Sequence, residues 1–168
     1  MRKVAVILCI IILCALVGCT ENAKLQTPVT FYYCISDIDH LGSRNVFGTE
    51  KREGSYFEED ILGLLNEYLK GPVSDELYNP FPKGSAIIDG KREGNVVTLY
   101  LSVQFDRLQQ EKLTLALSCL VQTVFEYTSV PVILLIPNST FIDGSTYKTF
   151  TPESFIYSDN NTSYTPPQ

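Results

Sequence analysis

Hydrophobic residues recur at helical spacing in two segments of the chain. The first segment ends at Gly71-Pro72, a helix stop signal, and its apolar stripe includes Leu62, Leu65 and Leu69. The second runs from about Leu108 to Tyr127, with Asp106 as the expected N-cap and Ser129 at its end. Its stripe is formed by Leu113, Ala116, Leu117, Leu120, Val124 and Tyr127. We therefore predict two amphipathic helices.

Strand patterns surround these helices. Residues 29–35 alternate in a way typical of a strand, and residues 45–51 predict a weaker returning strand. A hairpin is predicted over residues 85–102, with residues 90–94 as its loop. The continuous apolar run 132–136 indicates a buried, central strand. Together the patterns predict an α+β fold, with two helices packed on one face of a mixed, largely antiparallel sheet.

Polar segments connect and follow these elements. Residues 73–84 contain several prolines and predict a loop with a single turn near Ser74. The chain becomes polar after Thr140, where Thr151-Pro152 predicts a capped helical turn. Residues 158–168 are expected to be disordered.

The N-terminus has the features of an export signal. Arg2 and Lys3 precede an uninterrupted apolar run from Val4 to Val17, which is shorter than a membrane-spanning helix requires. The run ends in Leu16-Val17-Gly18-Cys19, which resembles the bacterial lipobox. That resemblance implies cleavage after Gly18 and a diacylglyceryl thioether on Cys19. An ordinary secretory signal with a chance cysteine is the alternative.

These features divide the chain into four parts. Residues 1–18 are predicted to be a lipoprotein signal peptide and residues 19–27 a short tether. Residues 28–157 form the folded domain, and residues 158–168 form the tail. The expected location is the extracytoplasmic face of the cell membrane, with the lipid on Cys19 as the contact to the membrane.

The charge of the chain excludes one class of partner. The 168 residues include 13 basic and 19 acidic side chains, and two of the basic ones lie in the signal peptide. The remaining chain is therefore acidic and has no basic stripe. Because nucleic-acid binding needs clustered Lys and Arg, we expect no nucleic-acid partner.

Candidate chemistry is sparse. His40 is the single histidine, and we interpret it, like Asp37 and Asp39, as a residue of a solvated turn. A Ser-His-Asp site would depend on that one histidine, and a cysteine nucleophile lacks a nearby base. We therefore expect no catalytic residues, no metal and no cofactor, although composition alone does not exclude a hydrolase built on two carboxylates.

Two cysteines remain after the lipobox, Cys34 in the first strand and Cys119 in the second helix. Two buried free thiols are the favoured interpretation. A disulfide is permitted in an extracytoplasmic compartment and stays open as an alternative. A metal pair is the least favoured, since no further Cys or His lies near either residue.

The order of local motifs resembles the GerMN domain family over residues 29–143. The motifs are Leu69-Lys70-Gly71-Pro72, Phe81-Pro82-Lys83-Gly84-Ser85, Leu99-Tyr100-Leu101-Ser102 with Phe105, Leu120-Val121 with Thr123, and Val130. The chain departs from the family at Cys119, where Gln is frequent, and at Pro137-Asn138, where a short glycine turn is frequent.

The resemblance implies an α+β module similar to the ring-building modules of sporulation and secretion channels. It implies a role in protein interaction or envelope assembly, in sporulation or germination, without catalytic residues. The expected partner is another envelope protein or a second copy of the chain. The alternative is a lipoprotein that binds a small molecule or a cell-wall glycan in a groove lined by Tyr32, Tyr100 and Tyr127.

Overall fold

A computed structural model describes residues 28–35, 46–53, 61–137, 144–158 and 161–164. These residues form two helices, α1 (Ile61–Leu69) and α2 (Gln110–Thr128). The strands are β1 (Pro28–Ile35), β2 (Phe47–Glu53), β3 (Leu77–Tyr78), β4 (Ile87–Glu93), β5 (Val96–Leu101), β6 (Val132–Leu135), β7 (Tyr147–Phe150), β8 (Phe155–Ser158) and β9 (Asn161–Tyr164). The predicted α+β fold is confirmed.

The strands form three groups in the described part of the chain. β2, β1 and β3 make an antiparallel sheet, and β4, β5, β6 and β7 make a mixed sheet in that order. β8 and β9 pair with each other. Only β5 and β6 are parallel among these pairs, and α2 supplies the long crossover that such a pair requires. The predicted mixture, mostly antiparallel, is therefore correct, but it is divided between sheets.

An aromatic cluster joins the first sheet to α1. Val29, Phe31 and Tyr33 share one face of β1, in agreement with the alternation of residues 29–35, and all three are buried. Tyr68 of α1 stacks on Phe31 with 5.0 Å between ring centroids and lies 4.9 Å from the Tyr33 ring. Phe81 meets Tyr68 edge-on at 4.9 Å. These rings form one end of a continuous hydrophobic core.

Helix α2 is buried on more than its predicted stripe. Ala116, Leu117, Leu120 and Val124 of that stripe are buried as expected. Ser118, Cys119, Val121 and Thr123 are buried too, so the helix has core contacts around much of its circumference. This burial explains why hydrophobic and polar residues are only weakly separated around the helix, because a helix surrounded by protein needs no fully polar face.

The predicted start of α2 was wrong. Asp106 lies in a separate 3₁₀ turn, Val103–Arg107, and the N-cap of α2 is Gln109. The fully buried Phe105 holds this turn against the core, and the extended residues that follow separate it from the helix. The predicted end is confirmed, since Ser129 adopts a left-handed conformation with φ of 52°.

The hairpin is present, but its loop is shorter than predicted. Strand β4 continues through Glu93, and the turn lies at Gly94, where φ is +57°. Gly90, predicted as a loop residue, pairs with Leu99 inside the strand. An added Cβ there would lie 3.1 Å from Leu62 Cδ2 of α1, so this glycine permits close packing of helix on strand.

Strand β3, strand β7 and the β8–β9 pair were not predicted from the sequence. β3 pairs with the end of β1 inside the predicted loop, and β7 lies in the polar C-terminal region. The expectation of disorder over residues 158–168 is wrong for Ser158 and residues 161–164, which belong to β8 and β9. The capped turn is confirmed, since the Thr151 N–H donates to Ser154 Oγ at 2.9 Å.

Several predictions fall outside the described residues. These are the signal peptide, the lipidation of Cys19, the tether, and the turn that contains Asp37, Asp39 and His40. In the described parts of the chain, no helix is long and apolar enough to cross a membrane.

Candidate interaction surface

The outer face of the four-stranded sheet carries an uncharged patch. Tyr100, Leu135 and Tyr147 lie directly opposite one another across β5, β6 and β7. A second row lies two residues away along each strand. We call these residues the outer-face patch: Thr98, Tyr100, Ile133, Leu135, Tyr147 and Thr149.

The strand alternation separates this patch from the core. Val97, Val132 and Phe150 form an inner row and are at most 2% exposed. On the outer side, Tyr100 is 38% exposed and Tyr147 is 56% exposed. Rings that face solvent beside β-branched and leucine side chains are typical of the centre of a protein interface.

The long sheet edges have a different character. β2, at the edge of the first sheet, carries Glu50, Lys51 and Arg52. β4, at one edge of the second sheet, carries Asp89, Lys91, Arg92 and Glu93 and has a bulge beside Ile88. Charges and bulges on an edge strand oppose pairing with another chain. The outer-face patch is therefore a better contact surface than either of these edges.

The remaining edge of β1 is covered by α2. The Tyr32 N–H donates to Thr123 Oγ1 at 3.0 Å, and the Thr30 N–H donates to the Tyr127 hydroxyl. One turn earlier on the helix, the Cys119 Sγ lies 3.8 Å from the Cys34 Sγ. We call these three contacts the helix–strand ladder.

The spacing of the ladder follows from the two backbone geometries. Each step is four residues on α2, about 6.0 Å along a helix, and two residues on β1, about 6.6 Å along a strand. Because these lengths nearly match, hydroxyl groups on one helix face meet successive amides that point away from β2. The helix thereby satisfies backbone donors that a neighbouring strand would otherwise bind.

Tyr68 completes the polar contacts beneath this ladder. Its hydroxyl donates to the Tyr32 carbonyl oxygen and also hydrogen-bonds the Thr123 side chain. Burial raises the pKa of Tyr68 well above its ordinary value, so it remains a neutral donor. The Tyr33 hydroxyl in turn donates to the Tyr68 carbonyl oxygen at 2.8 Å.

A charged pair fixes the loop that follows α1. Arg52 donates to Glu50 at 2.5 Å and to the Gly71 carbonyl oxygen at 2.6 Å. Glu50 Oε2 accepts the Val73 N–H at 2.7 Å and the Ser74 N–H at 3.0 Å. Burial opposes ionisation of Glu50, but the hydrogen bonds from Ser74, Arg52 and Val73 outweigh it and lower the pKa. This perturbed carboxylate therefore has a structural role.

The structure separates the three tyrosines of the predicted groove. Tyr32 and Tyr127 lie beside the β1–α2 contact, where the Tyr32 hydroxyl donates to Glu126 Oε2 at 3.3 Å. Tyr100 lies on β5 of the other sheet, in the outer-face patch. Sequence reasoning missed Tyr147, because its strand was not recognised in the polar region around it.

The two remaining cysteines are brought together. Cys34 and Cys119 are buried, with 1% and 0% exposure, and the hydrogen bond from Cys119 lowers the pKa of Cys34. Burial raises the pKa of Cys119. Within the described ranges, no three His, Cys, Asp or Glu side chains lie close enough together to hold a metal ion.

Comparison of the whole fold with solved structures finds the tandem GerMN domains of the sporulation protein GerM from Bacillus subtilis. The match has a TM-score of 0.53 and 20% identity, and it covers 77% of this chain and 46% of GerM. The fold is GerMN-like. The chain spans under half of the GerM structure, which contains two such domains. At this identity the likeness establishes the fold alone.

A second solved structure found by this comparison is a protein from Clostridium perfringens described as a candidate lipoprotein. It has a TM-score of 0.46 and 17% identity, with 76% of this chain and 89% of that chain covered. Neither a family model nor a curated protein matches the sequence.

The motifs that suggested GerMN have identifiable places in this GerMN-like fold. Gly71 adopts a φ of +107° at the end of α1, where the Arg52 guanidinium binds its carbonyl oxygen. Phe81 and Phe105 are buried, with ring centroids 6.2 Å apart. Thr123 supplies the central contact of the helix–strand ladder. These motif residues therefore stabilise the fold, whereas Tyr100, which belongs to the same set of motifs, lies in the outer-face patch.

Proposed function

We propose that this chain is an exported, lipid-anchored and non-catalytic protein whose GerMN-like domain binds another envelope protein. The lipobox supports the export and the anchor, with Cys19 as the lipidated residue. The GerMN-like fold supports a role in envelope assembly, and the sporulation role of GerM makes sporulation or germination the first process to examine.

The outer-face patch is the observation that carries the proposed interaction. Its two rows span three adjacent strands, which corresponds to a width of about 10 Å. A stable interface uses roughly 20–30 residues on each side, so the patch would form the centre of a larger contact. Tyr100 and Tyr147 are its best anchors, because large amphipathic rings contribute most strongly at interface centres.

Site-specific photo-crosslinking in intact cells tests the proposal. A photoreactive phenylalanine analogue replaces Tyr100 or Tyr147 in the full chain, and Lys112, exposed on α2, receives the same analogue as the matched control. We expect a discrete protein adduct from positions 100 and 147 and none from position 112. Absence of adducts from the patch, or equal labelling from position 112, would overturn the proposed surface.

The mass of the adduct separates two kinds of protein partner. An adduct of twice the monomer mass identifies a second copy of the chain, and any other discrete mass identifies a different envelope protein. A parallel Cys19→Ser variant tests the anchor. Mass spectrometry of the N-terminal peptide is expected to show a diacylglyceryl group on Cys19 in the wild type and an unlipidated, uncleaved N-terminus in the variant. An unlipidated Cys19 in the wild type would contradict the anchor.

A further inference from the structure

Cys34 and Cys119 are close in space although 85 residues separate them along the chain. Their sulfur atoms lie 3.8 Å apart, which is a contact distance between thiols, and both side chains are at most 1% exposed. Cys34 lies near the end of β1, and Cys119 lies in the middle of α2. The fold therefore places a pair of nucleophilic groups at a single buried position.

The contact is held from one side by the rest of the helix–strand ladder. The Thr123 and Tyr127 contacts with β1 set the position of α2 along the strand. On the other side of Cys34, β3 pairs with Cys34 and Ile35 through Tyr78 and Leu77. The Thr123 and Tyr127 hydrogen bonds thus hold α2 beside β1, and the β3 pairing fixes the backbone at Cys34.

We propose that Cys34 and Cys119 are oxidised to a disulfide in the mature protein. The inference rests on the proposed export, because an oxidising compartment maintains disulfides and the cytoplasm reduces them. The sulfur atoms would approach from 3.8 Å to the bond length of about 2.05 Å. The bond would join β1 covalently to the helix that covers its edge.

The oxidant is a disulfide, either of an exported thiol–disulfide oxidoreductase or of a small thiol. One cysteine thiolate attacks this disulfide, forms a mixed disulfide and releases the first sulfur of the oxidant as a thiol. The second cysteine thiolate then attacks the mixed disulfide and releases the second sulfur. Two protons leave the cysteines, and their two electrons reduce the oxidant to two thiols.

Burial places the first step of this reaction before the helix docks. In the folded thiol form, neither sulfur is accessible to an oxidant, and burial raises the pKa of the Cys119 thiol. The mixed disulfide therefore forms on the folding chain, while the attacking thiol is still exposed. The docking of α2 on β1 then brings the second cysteine to it. The same burial then protects the finished disulfide against reductants.

The first experiment counts thiols in the full chain isolated from intact cells. Acid quenching traps the redox state, and a mass-tagged maleimide then labels the denatured protein before and after reduction. We expect the peptides containing Cys34 and Cys119 to be unlabelled before reduction and fully labelled after it. Free thiols at both positions, in protein that an external protease can reach, would overturn the disulfide and leave the proposed location intact.

A second experiment tests the disulfide separately from export. The full chain is unfolded and reduced in detergent, and then refolded in a glutathione redox buffer. We expect a cross-linked peptide joining Cys34 to Cys119, and a Tm lower on the order of 10 °C when the chain is refolded with reductant in place of the redox buffer. The Cys34→Ala/Cys119→Ala variant should not respond to reductant. A refolded chain without this cross-link would contradict the inference, whatever the outcome of the protease test.

Discussion

The Thr123→Val substitution isolates one contact of the helix–strand ladder. Valine has nearly the shape of threonine, so the change creates little cavity but removes the hydroxyl that accepts the Tyr32 N–H at 3.0 Å. Thr123 is fully buried, and water therefore cannot replace the hydroxyl without repacking. The substitution leaves a strand amide without its acceptor at the edge of β1.

A buried polar group that loses its hydrogen-bond partner lowers the free energy of unfolding by about 1–3 kcal/mol. We expect a decrease of this size from the unpaired Tyr32 amide. The hydrogen bond between Thr123 and the Tyr68 hydroxyl is lost too, although Tyr68 still donates to the Tyr32 carbonyl oxygen. For a domain of this size, each kcal/mol lowers the Tm by about 3–5 °C. We therefore expect a decrease of about 3–15 °C.

Thermal unfolding followed by circular dichroism measures the decrease, and amide hydrogen exchange locates it. Exchange of the Tyr32 amide should accelerate more than that of other β1 amides. Thr149→Val is the matched control, because it makes the same chemical change at an exposed strand position. It should alter the free energy of unfolding by less than about 0.5 kcal/mol. A Thr123→Val protein as stable as this control, with unchanged Tyr32 exchange, would refute the reasoning.

Three further predictions test other parts of the structure. Glu50 has a folded pKa below its ordinary 4.5, so its stabilisation is present above that value and lost as pH falls through the folded pKa. Glu50→Gln should therefore lower the urea midpoint at pH 7, and the difference from the wild type should shrink as the pH falls below 4.5. A difference that stays constant as the pH is lowered until the wild type unfolds would contradict this. Gly71→Ala should cost about 1–2 kcal/mol in urea unfolding, because φ is +107° and the new Cβ would lie 2.7 Å from the Asn79 amide nitrogen. An unchanged free energy of unfolding in the Gly71→Ala protein would contradict the expected backbone strain. With the photoreactive analogue moved to Thr149, an exposed residue of the same outer-face patch, Tyr100→Ser with Tyr147→Ser should leave the Tm within about 3 °C and abolish the crosslinked adduct. Retention of that adduct would exclude these rings as anchors.

The sequence predicted those elements whose local pattern agrees with their final environment. β1 alternates because one face meets the core. β6 is central in its sheet as its apolar run indicated, but only Val132 and Leu134 face the core, and Ile133 and Leu135 lie on the outer face. The end of α2 was predictable because helix termination at Ser129 is local. The GerMN-like fold was predicted from the order of such local motifs.

The errors arose where distant contacts determine the local structure. The pairing that makes β3 a strand is formed with the end of β1, more than 40 residues away. Gly90 looked like a loop residue, but the close approach of Leu62 explains its place in β4. The start of α2 depends on the burial of Phe105, which the spacing of Asp106 did not indicate.

The candidate surface was predictable only in outline. Helices were predicted on one face of a sheet, which leaves the other face open, and Tyr100 was named as a residue of a groove. Its neighbours in the outer-face patch come from β6 and β7 through pairings that one sequence does not specify. The cysteine pair has the same origin, since α2 must dock on β1 before Cys34 and Cys119 meet.

The covering of β1 by α2 also sets an order of events during synthesis. The acceptor of the Tyr32 amide, Thr123, is synthesised 91 residues later, and the acceptor of the Thr30 amide, Tyr127, is synthesised 97 residues later. At roughly 5–20 residues per second, this delay lasts about 5–20 s. Throughout it, an apolar strand presents unpaired amides, so β1 is the segment of the nascent chain that a strand-binding chaperone would recognise.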